Sequence, residues 1–306
     1  MTLRPRGRRA RTFEEFAAAL ETLVSDEGVA RGMAFRPRPD DVIITPFAKS
    51  GTTWLQQIVH TLRTGGDEDF DDISAVVPWI ETAHDLGIDL GAAQRAEPRA
   101  FKSHLPADRV PAGARYIVSV RNPGDALVSM YHFMEGWFFE PGTIDMETFA
   151  RGKFLPRGEG RDYWHHLASW WPRRDDDDVL LLCYEGMRTD RAGTVRRIAE
   201  FIGVALGEAL LDLTLERSSM EYMLANRRRY DDRLMRELSE RRIGLPEGSD
   251  SAKVRRGETG AHKRELTPAI EGELAEIWAE EIAGRFGLAD YEAFRAAMTA
   301  MEDGCR

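Results

Sequence analysis

A mostly parallel α/β fold, a central sheet flanked by helices, is predicted by three features of the sequence. Short, largely apolar runs recur: Val42-Ile43-Ile44, RYIVSV at 115–120 and DVLLLCY at 178–184. Strands without polar alternation are buried on both faces, as in a parallel sheet covered by helices. Segments with helical spacing lie between these runs, so strands and helices alternate along the chain. Finally, the first run leads into TPFAKSGTTW at 45–54, a strand-to-helix turn rich in groups that bind anions.

Taken in order, residues 1–11 are Arg-rich without apolar spacing and are expected to be disordered. Residues 12–24 read as an amphipathic surface helix, 41–45 as the first strand and 52–63 as the helix after the turn. An acidic loop at 67–72 precedes a short strand at 99–102, which ends in KSHLP. The strand at 115–120 is stopped by Arg121-Asn122-Pro123. A helix follows over 123–137, with proline in the first turn, where it is tolerated. An aromatic-rich helix is expected at 163–171, a fourth strand at 178–184, and a helix at 191–202 ended by Gly203. From 226 to 263 the chain is charged and carries Gly244, Pro246, Gly248, Gly257 and Gly260, the composition of a long flexible loop or lid. Leu274, Ile277, Trp278 and Ile282 then mark a helix over 268–286. These elements predict one domain over 12–306, closed by C-terminal helices from 267 onward.

At 306 residues the chain is long enough to bury a sizeable core. Its formal net charge of -10 argues against a nucleic-acid binder working by bulk charge. The two cysteines, Cys183 and Cys305, form neither a disulfide framework nor a metal spacing, so a reducing cytoplasm is expected. No apolar stretch has the length of a membrane span, and the N-terminus lacks the apolar core of a secretory leader.

Ligands of open parallel sheets bind beyond the carboxyl ends of the strands, so the residues just after each strand matter most: Lys49, His104, Arg121 and Tyr184. In the first turn, helix amides without intrahelical acceptors and the helix dipole favour an anion. Gly51 allows close backbone approach, while Lys49 and the hydroxyls of Ser50, Thr52 and Thr53 can reach phosphate or sulfate oxygens. Trp54 offers a face for a base. The lysine precedes the glycine, so this is not the GK[ST] order of nucleotide hydrolases. In KSHLP, His104 stands beside Lys102 and is suited to accept a hydroxyl proton. In VRNPGDALVSMYHF (120–133), Arg121 can fork onto a phosphate that Ser129 also reaches. VRRGETGAHK (254–263) places Arg255 and Arg256 before Gly257. Each segment alone also has a plain structural reading: a capped turn, a structural histidine, a surface arginine.

Together, in this order, they resemble the soluble sulfotransferases that use 3′-phosphoadenosine 5′-phosphosulfate (PAPS). The family's PKSGTTW is similar to PFAKSGTTW here, its KTHLP to KSHLP, and its RNxxDxxVSxYHF to RNPGDALVSMYHF. Its RKGxxGxxK resembles RRGETGAHK, and its VLxLxYExM resembles VLLLCYEGM at 179–187. The resemblance runs from about 41 to 263. It departs at Met220, where the family often has an aromatic, at His262 in place of tryptophan, and at Pro268 and Gly272 in the family's dimer motif. The oligomeric state is left open.

The resemblance implies the P-loop nucleotide-hydrolase-like sulfotransferase fold, PAPS as sulfuryl donor with PAP as product, and no metal. By position it implies that Lys49, Ser50, Gly51, Thr52 and Thr53 bind the 5′-phosphosulfate and that Trp54 stacks on adenine. Arg121, Ser129, Arg255, Arg256 and Gly257 would hold the 3′-phosphate, with Tyr184, Ser218 and Met220 near the adenine. His104 would be the general base, with Lys49, Lys102 and Ser129 completing the catalytic set. Phe47, Trp79, Met134, Trp137 and Phe138, with Phe139, Tyr163 and Trp164, suggest a pocket for a small apolar or aromatic hydroxyl acceptor. A nucleotide-dependent small-molecule kinase and a non-catalytic nucleotide-binding protein are the alternative readings.

Overall fold

The structure is a computed structural model that describes residues 7–304, except 159, 161, 250–252, 255, 256 and 258. Among the described residues, β1 (Val42–Ile44), β2 (Ala100–Lys102), β3 (Arg115–Val120) and β4 (Val179–Cys183) form one parallel sheet in the order β2-β1-β3-β4. Ile43 pairs with Phe101 on one side and Tyr116 on the other, so β1 lies in the interior of the sheet. Successive side chains point to opposite faces of a strand. Ile43, Phe101, Tyr116, Val118 and Leu181 accordingly join one apolar layer with the helices Phe13–Leu23, Pro123–Trp137, Tyr163–Trp170 and Pro268–Trp278. Val42, Ile44, Ala100, Ile117 and Leu182 face the other layer, built on the helices Thr52–Thr64 and Arg191–Ile202.

The expected elements form with small shifts at their ends. Helix starts follow local chemistry: Thr12 caps Phe13–Leu23, the Asn122 side chain accepts from the amides of Gly124 and Asp125, and Asp190 caps Arg191–Ile202. Gly203, at φ +74°, ends that last helix in the left-handed conformation glycine adopts readily.

Two expectations need correction. Residues 7–11, expected to be disordered, are docked: Gly7 N–H donates to Gly244 O at 2.9 Å, and Ala10 is fully buried and bridges to Phe139. Residues 1–6 lie outside the described residues. The span 226–263, expected to be a loop, carries the eleven-residue helix Arg233–Ile243, whose Met235 and Leu238 are buried. Their burial outweighs the polar composition that suggested a loop. Helices at Asp26–Met33, Glu208–Arg217 and Met220–Ala225 were not anticipated, whereas Tyr291–Gly304 is one of the expected C-terminal helices. The 268–286 helix is continuous but contains a π-turn at Ala279–Ala283. No helix of the described residues is long and apolar enough to cross a membrane.

At the amino edge of the sheet, a buried ion pair ties β1 to β2. Arg99 Nε and Nη2 donate to Asp41 Oδ1 and Oδ2 at 2.9 and 2.6 Å, with both side chains out of solvent. Losing one member of such a pair leaves a buried charge uncompensated. Asp41→Asn should therefore lower the unfolding free energy by about 3 kcal/mol. Urea denaturation checks this as a lower midpoint with an unchanged slope.

Candidate active site

The turn after β1 is built against the ends of β3 and β4. Lys49 takes φ +70°, unusual for a residue with a side chain, and Gly51 takes φ +102°. Only glycine fits at 51, because an added Cβ would lie 2.9 Å from the Tyr184 ring. Ser119 Oγ donates to Ser50 O at 2.5 Å and Arg121 Nη1 to Lys49 O at 3.0 Å. The Arg121 guanidinium lies over the Tyr184 ring at 4.6 Å, and Tyr163 Oη fixes the Arg121 carbonyl at 2.6 Å. The Thr52–Thr64 helix begins without a side-chain cap, so its first amides are available. Ser50 Oγ and Thr52 Oγ1 are buried and have no hydrogen-bond partner among the described residues. Buried hydroxyls are normally paired, and here the oxygens of a phosphate or sulfate would pair them.

Lys49, Lys102, His104, Arg121 and Ser129 line one cavity of about 440 Å³ together with Gly51, Thr52, Thr53 and Trp54. His104 Nδ1 lies 2.8 Å from Pro46 O. A carbonyl only accepts, so Nδ1 carries the proton and Nε2 is left with its lone pair. Trp79 packs edge-on against this imidazole at 5.3 Å. The buried Glu81 carboxylate accepts from the His104 backbone N–H at 2.8 Å. Burial, and next the charge of Lys102, hold the imidazole well below the ordinary histidine range. It is neutral near pH 7 and can accept a proton.

Lys49 reaches over the Phe133 ring at 4.1 Å. Burial, reinforced by Lys253 and Arg121, pushes its ammonium well down. Lys102 lies over the Trp79 ring at 3.9 Å, and burial lowers it to about 8 against the opposing pull of Asp232. Asp232, 3% exposed, sits 2.5 Å from Lys253 Nζ and 3.9 Å from Lys102 Nζ. Burial opposes its charge, but Lys102 and Lys253 outweigh burial and hold the carboxylate well below its usual range.

Toward the nucleotide end, Trp54 and Tyr184 meet edge to face at 5.9 Å. Ser218 and Met220 line the same cavity, though Ser218 Oγ is already committed to Thr214 O at 2.6 Å. Gly257 lines it too, packed under the Met220 methyl. Arg255 and Arg256 lie outside the described residues. The late loop is tied to the Pro123–Trp137 helix by Asp125, which accepts from Gly260 N at 2.6 Å and from His262 N and Nδ1 at 3.0 and 2.8 Å. The same helix carries Ser129.

Of the expected acceptor-pocket residues, Trp79, Met134, Trp137 and Phe138 line the cavity. Phe47 does not: it packs edge-on against Phe154, Tyr163 and His166. Phe139, Tyr163 and Trp164 likewise belong to the core. The cavity walls are completed by residues not expected there, among them Leu20 and Leu23 of the first helix, Phe133, Met235, Asp232 and Lys253. Phe133 stands inside a motif and could have been found there. Asp232 carries no local signal at all. The Asp125 contacts make a direct test available. Asp125→Asn should speed amide exchange at Gly260 and His262 about tenfold, the loss of roughly one charge-assisted hydrogen bond. Hydrogen-exchange mass spectrometry reads this.

The fold and the sequence have counterparts among known proteins. The sulfotransferase domain family matches residues 39–286. Rat "Sulfotransferase 2A1" is 32% identical over 286 residues, covering 89% of this chain and 93% of the relative. Human "Sulfotransferase 1C2" is 27% identical over 266 residues, covering 82% and 86%. Among solved structures, mouse sulfotransferase SULT7A1 complexed with PAP superposes with a TM-score of 0.66 at 22% identity, over 90% of this chain and 95% of that one. Retinol dehydratase in a complex with retinol and PAP gives 0.66 at 20% identity, over 90% and 96%. With its fold shared and the family matched across most of its length, this chain belongs to the sulfotransferase domain family.

Proposed function

We propose that this sulfotransferase takes its sulfuryl group from PAPS and passes it, in line, to the hydroxyl of a small apolar or aromatic acceptor. Family membership sets aside the kinase and the non-catalytic binder. The observation that carries the reading is the His104 imidazole: Nδ1 is anchored on Pro46 O, and Nε2 is free to accept in the cavity that Lys49 and Lys102 line. The unpaired hydroxyls of Ser50 and Thr52 at an uncapped helix start fit the phosphosulfate end of the donor.

PAPS, when bound, supplies an activated sulfuryl group and a phosphate leaving group. The Thr52–Thr64 amides with Ser50, Thr52 and Thr53 hold the phosphosulfate. Trp54 and Tyr184 flank the adenine, with Ser218 and Met220 at its edge. Arg121 and Ser129, with Gly257 and the arginines at 255 and 256, take the 3′-phosphate. His104 Nε2 accepts the proton of the acceptor hydroxyl, Lys49 offsets charge on the leaving oxygen, and Lys102 offsets charge on the sulfuryl oxygens. An anion beside Lys49 restores the ammonium that burial disfavours, so donor binding prepares its own stabilisation. Trp79, Met134, Trp137 and Phe138 give the acceptor an apolar wall. The reducing cytoplasm is the compartment we assign, consistent with Cys183 as a buried free thiol.

His104→Ala should reduce turnover by roughly 10²–10⁴-fold, the usual range for a general base. Its affinity for PAP, by calorimetry, should stay near wild type, and turnover close to wild type would remove His104 from the mechanism. Because the imidazole is depressed, base function is kept at neutral pH and lost only on acidification below the ordinary value of about 6.5. The acid limb of the rate profile should sit there. Arg121→Ala should weaken PAP binding about 10–100-fold through loss of charge-assisted hydrogen bonds. An unchanged dissociation constant would sink the 3′-phosphate role.

A further inference from the structure

We infer that Asp232 is a positioning residue for sulfuryl transfer, whose carboxylate keeps the Lys102 ammonium charged and aimed into the cavity. The inference rests on the reading of Lys102 beside the transferring group. No motif marks Asp232; it reaches the site from the 226–263 span, far along the chain from β2. Lys102, at the end of β2, is 2% exposed and lies between two surfaces: the Trp79 ring at 3.9 Å from Nζ and Asp232 Oδ1, also at 3.9 Å. Asp232 is itself fixed. Its backbone takes φ +47° at the start of the Arg233–Ile243 helix, Ser74 Oγ donates to Oδ1 at 3.3 Å, and the next amide but one, Leu234 N, is held by Asp72 at 2.9 Å. The Ser74 hydroxyl and Lys253 ammonium, both on Oδ1, fix the direction of the carboxylate.

Of the acids around Lys102, Asp232 supports its charge most, ahead of Glu81 and Asp72. The other ionisable groups facing Lys102 are Lys253 from the late loop, Glu81 after Trp79, Asp72, His104 and Lys49. Lys253 and Lys49 repel the ammonium. Burial holds His104 neutral and pushes both Glu81 and Asp72 toward their neutral forms. Asp232 stays ionised because Lys102 and Lys253 together overcome its burial. Without that carboxylate, a desolvated ammonium beside Lys253 would shed its proton near neutral pH. The sulfuryl oxygens would then lose their counter-charge at the moment charge develops on them.

Lysine labelled with ¹³C at Cε, with Lys102 assigned from Lys102→Arg, gives its titration directly by NMR in the nucleotide-free protein. Wild type should titrate near about 8. In Asp232→Asn the midpoint should fall by roughly one to three units, as expected for removing a unit charge at about 4 Å. Lys253→Met should move it upward, since the carboxylate then serves Lys102 without a competitor. A Lys102 midpoint that moves in neither variant overturns the inference, and Lys253→Met decides it if Asp232→Asn does not fold. The rate profile with PAPS, using 2-naphthol as probe acceptor, separates the two readings. The alkaline limb should move down with the NMR midpoint in Asp232→Asn and flatten in Lys102→Arg. A limb that Lys102→Arg flattens but Asp232→Asn leaves in place overturns the role of Asp232 alone. A limb that Lys102→Arg leaves in place overturns the role of Lys102 itself.

Discussion

The turn after β1 can present its anion-binding groups only because two other strand ends hold it in a conformation it would not take alone. Lys49 and Gly51 both sit at positive φ. Ser119 at the end of β3 takes the Ser50 carbonyl, Arg121 just beyond takes the Lys49 carbonyl, and the Tyr184 ring after β4 fills the space beside Gly51. The local conformation of the loop is therefore a tertiary product. Parallel pairing of β1, β3 and β4 brings the three strand ends to one edge, and that edge carries the nucleotide-side residues.

Desolvated positive charge is the second theme of this edge. Lys102 is buried and Lys49 half-buried where an ammonium is costly, and His104 is kept neutral by burial and by its cationic neighbour. This arrangement opposes folding of the empty site and favours an anionic ligand, because a bound phosphosulfate supplies the missing counter-charge. Asp232 offsets part of that cost in the protein itself. The site is thus neither fully satisfied nor fully bare, as suits a pocket that must bind an anion and release another.

The apolar side of the cavity follows a different logic. Its walls come from the first helix through Leu20 and Leu23, from the Pro123–Trp137 helix through Phe133, Met134 and Trp137, and from the Arg233–Ile243 helix through Met235. Trp137 Nε1 donates to Ser239 Oγ at 3.2 Å, joining two of these helices. The same 226–263 span thus supplies a wall of the cavity and, through Asp232, a charge beside Lys102.

Much of this was legible in the chain. Continuous apolar runs marked β1, β3 and β4 and with them the parallel sheet, because burial on both faces leaves no room for polar alternation. KSGTTW, KSHLP and RNPGDALVS marked Lys49, His104, Arg121 and Ser129, since a strand end followed by a helix start is a local pattern. Composition misled at residues 7–11 and 226–263, where arginines and glycines hid one docked segment and one helix whose few apolar residues find a core. Aromatic content likewise did not separate Trp79, which faces the cavity, from Phe47, which faces Tyr163. The sequence by itself determined the sheet, the family and the residues at its carboxyl edge, for these are written in short contiguous stretches. Only the tertiary structure decided which aromatics face the cavity, that Asp125 holds the late loop and that Asp232 meets Lys102. Those contacts join residues more than a hundred positions apart, and their strength comes from a burial that no short window of sequence contains.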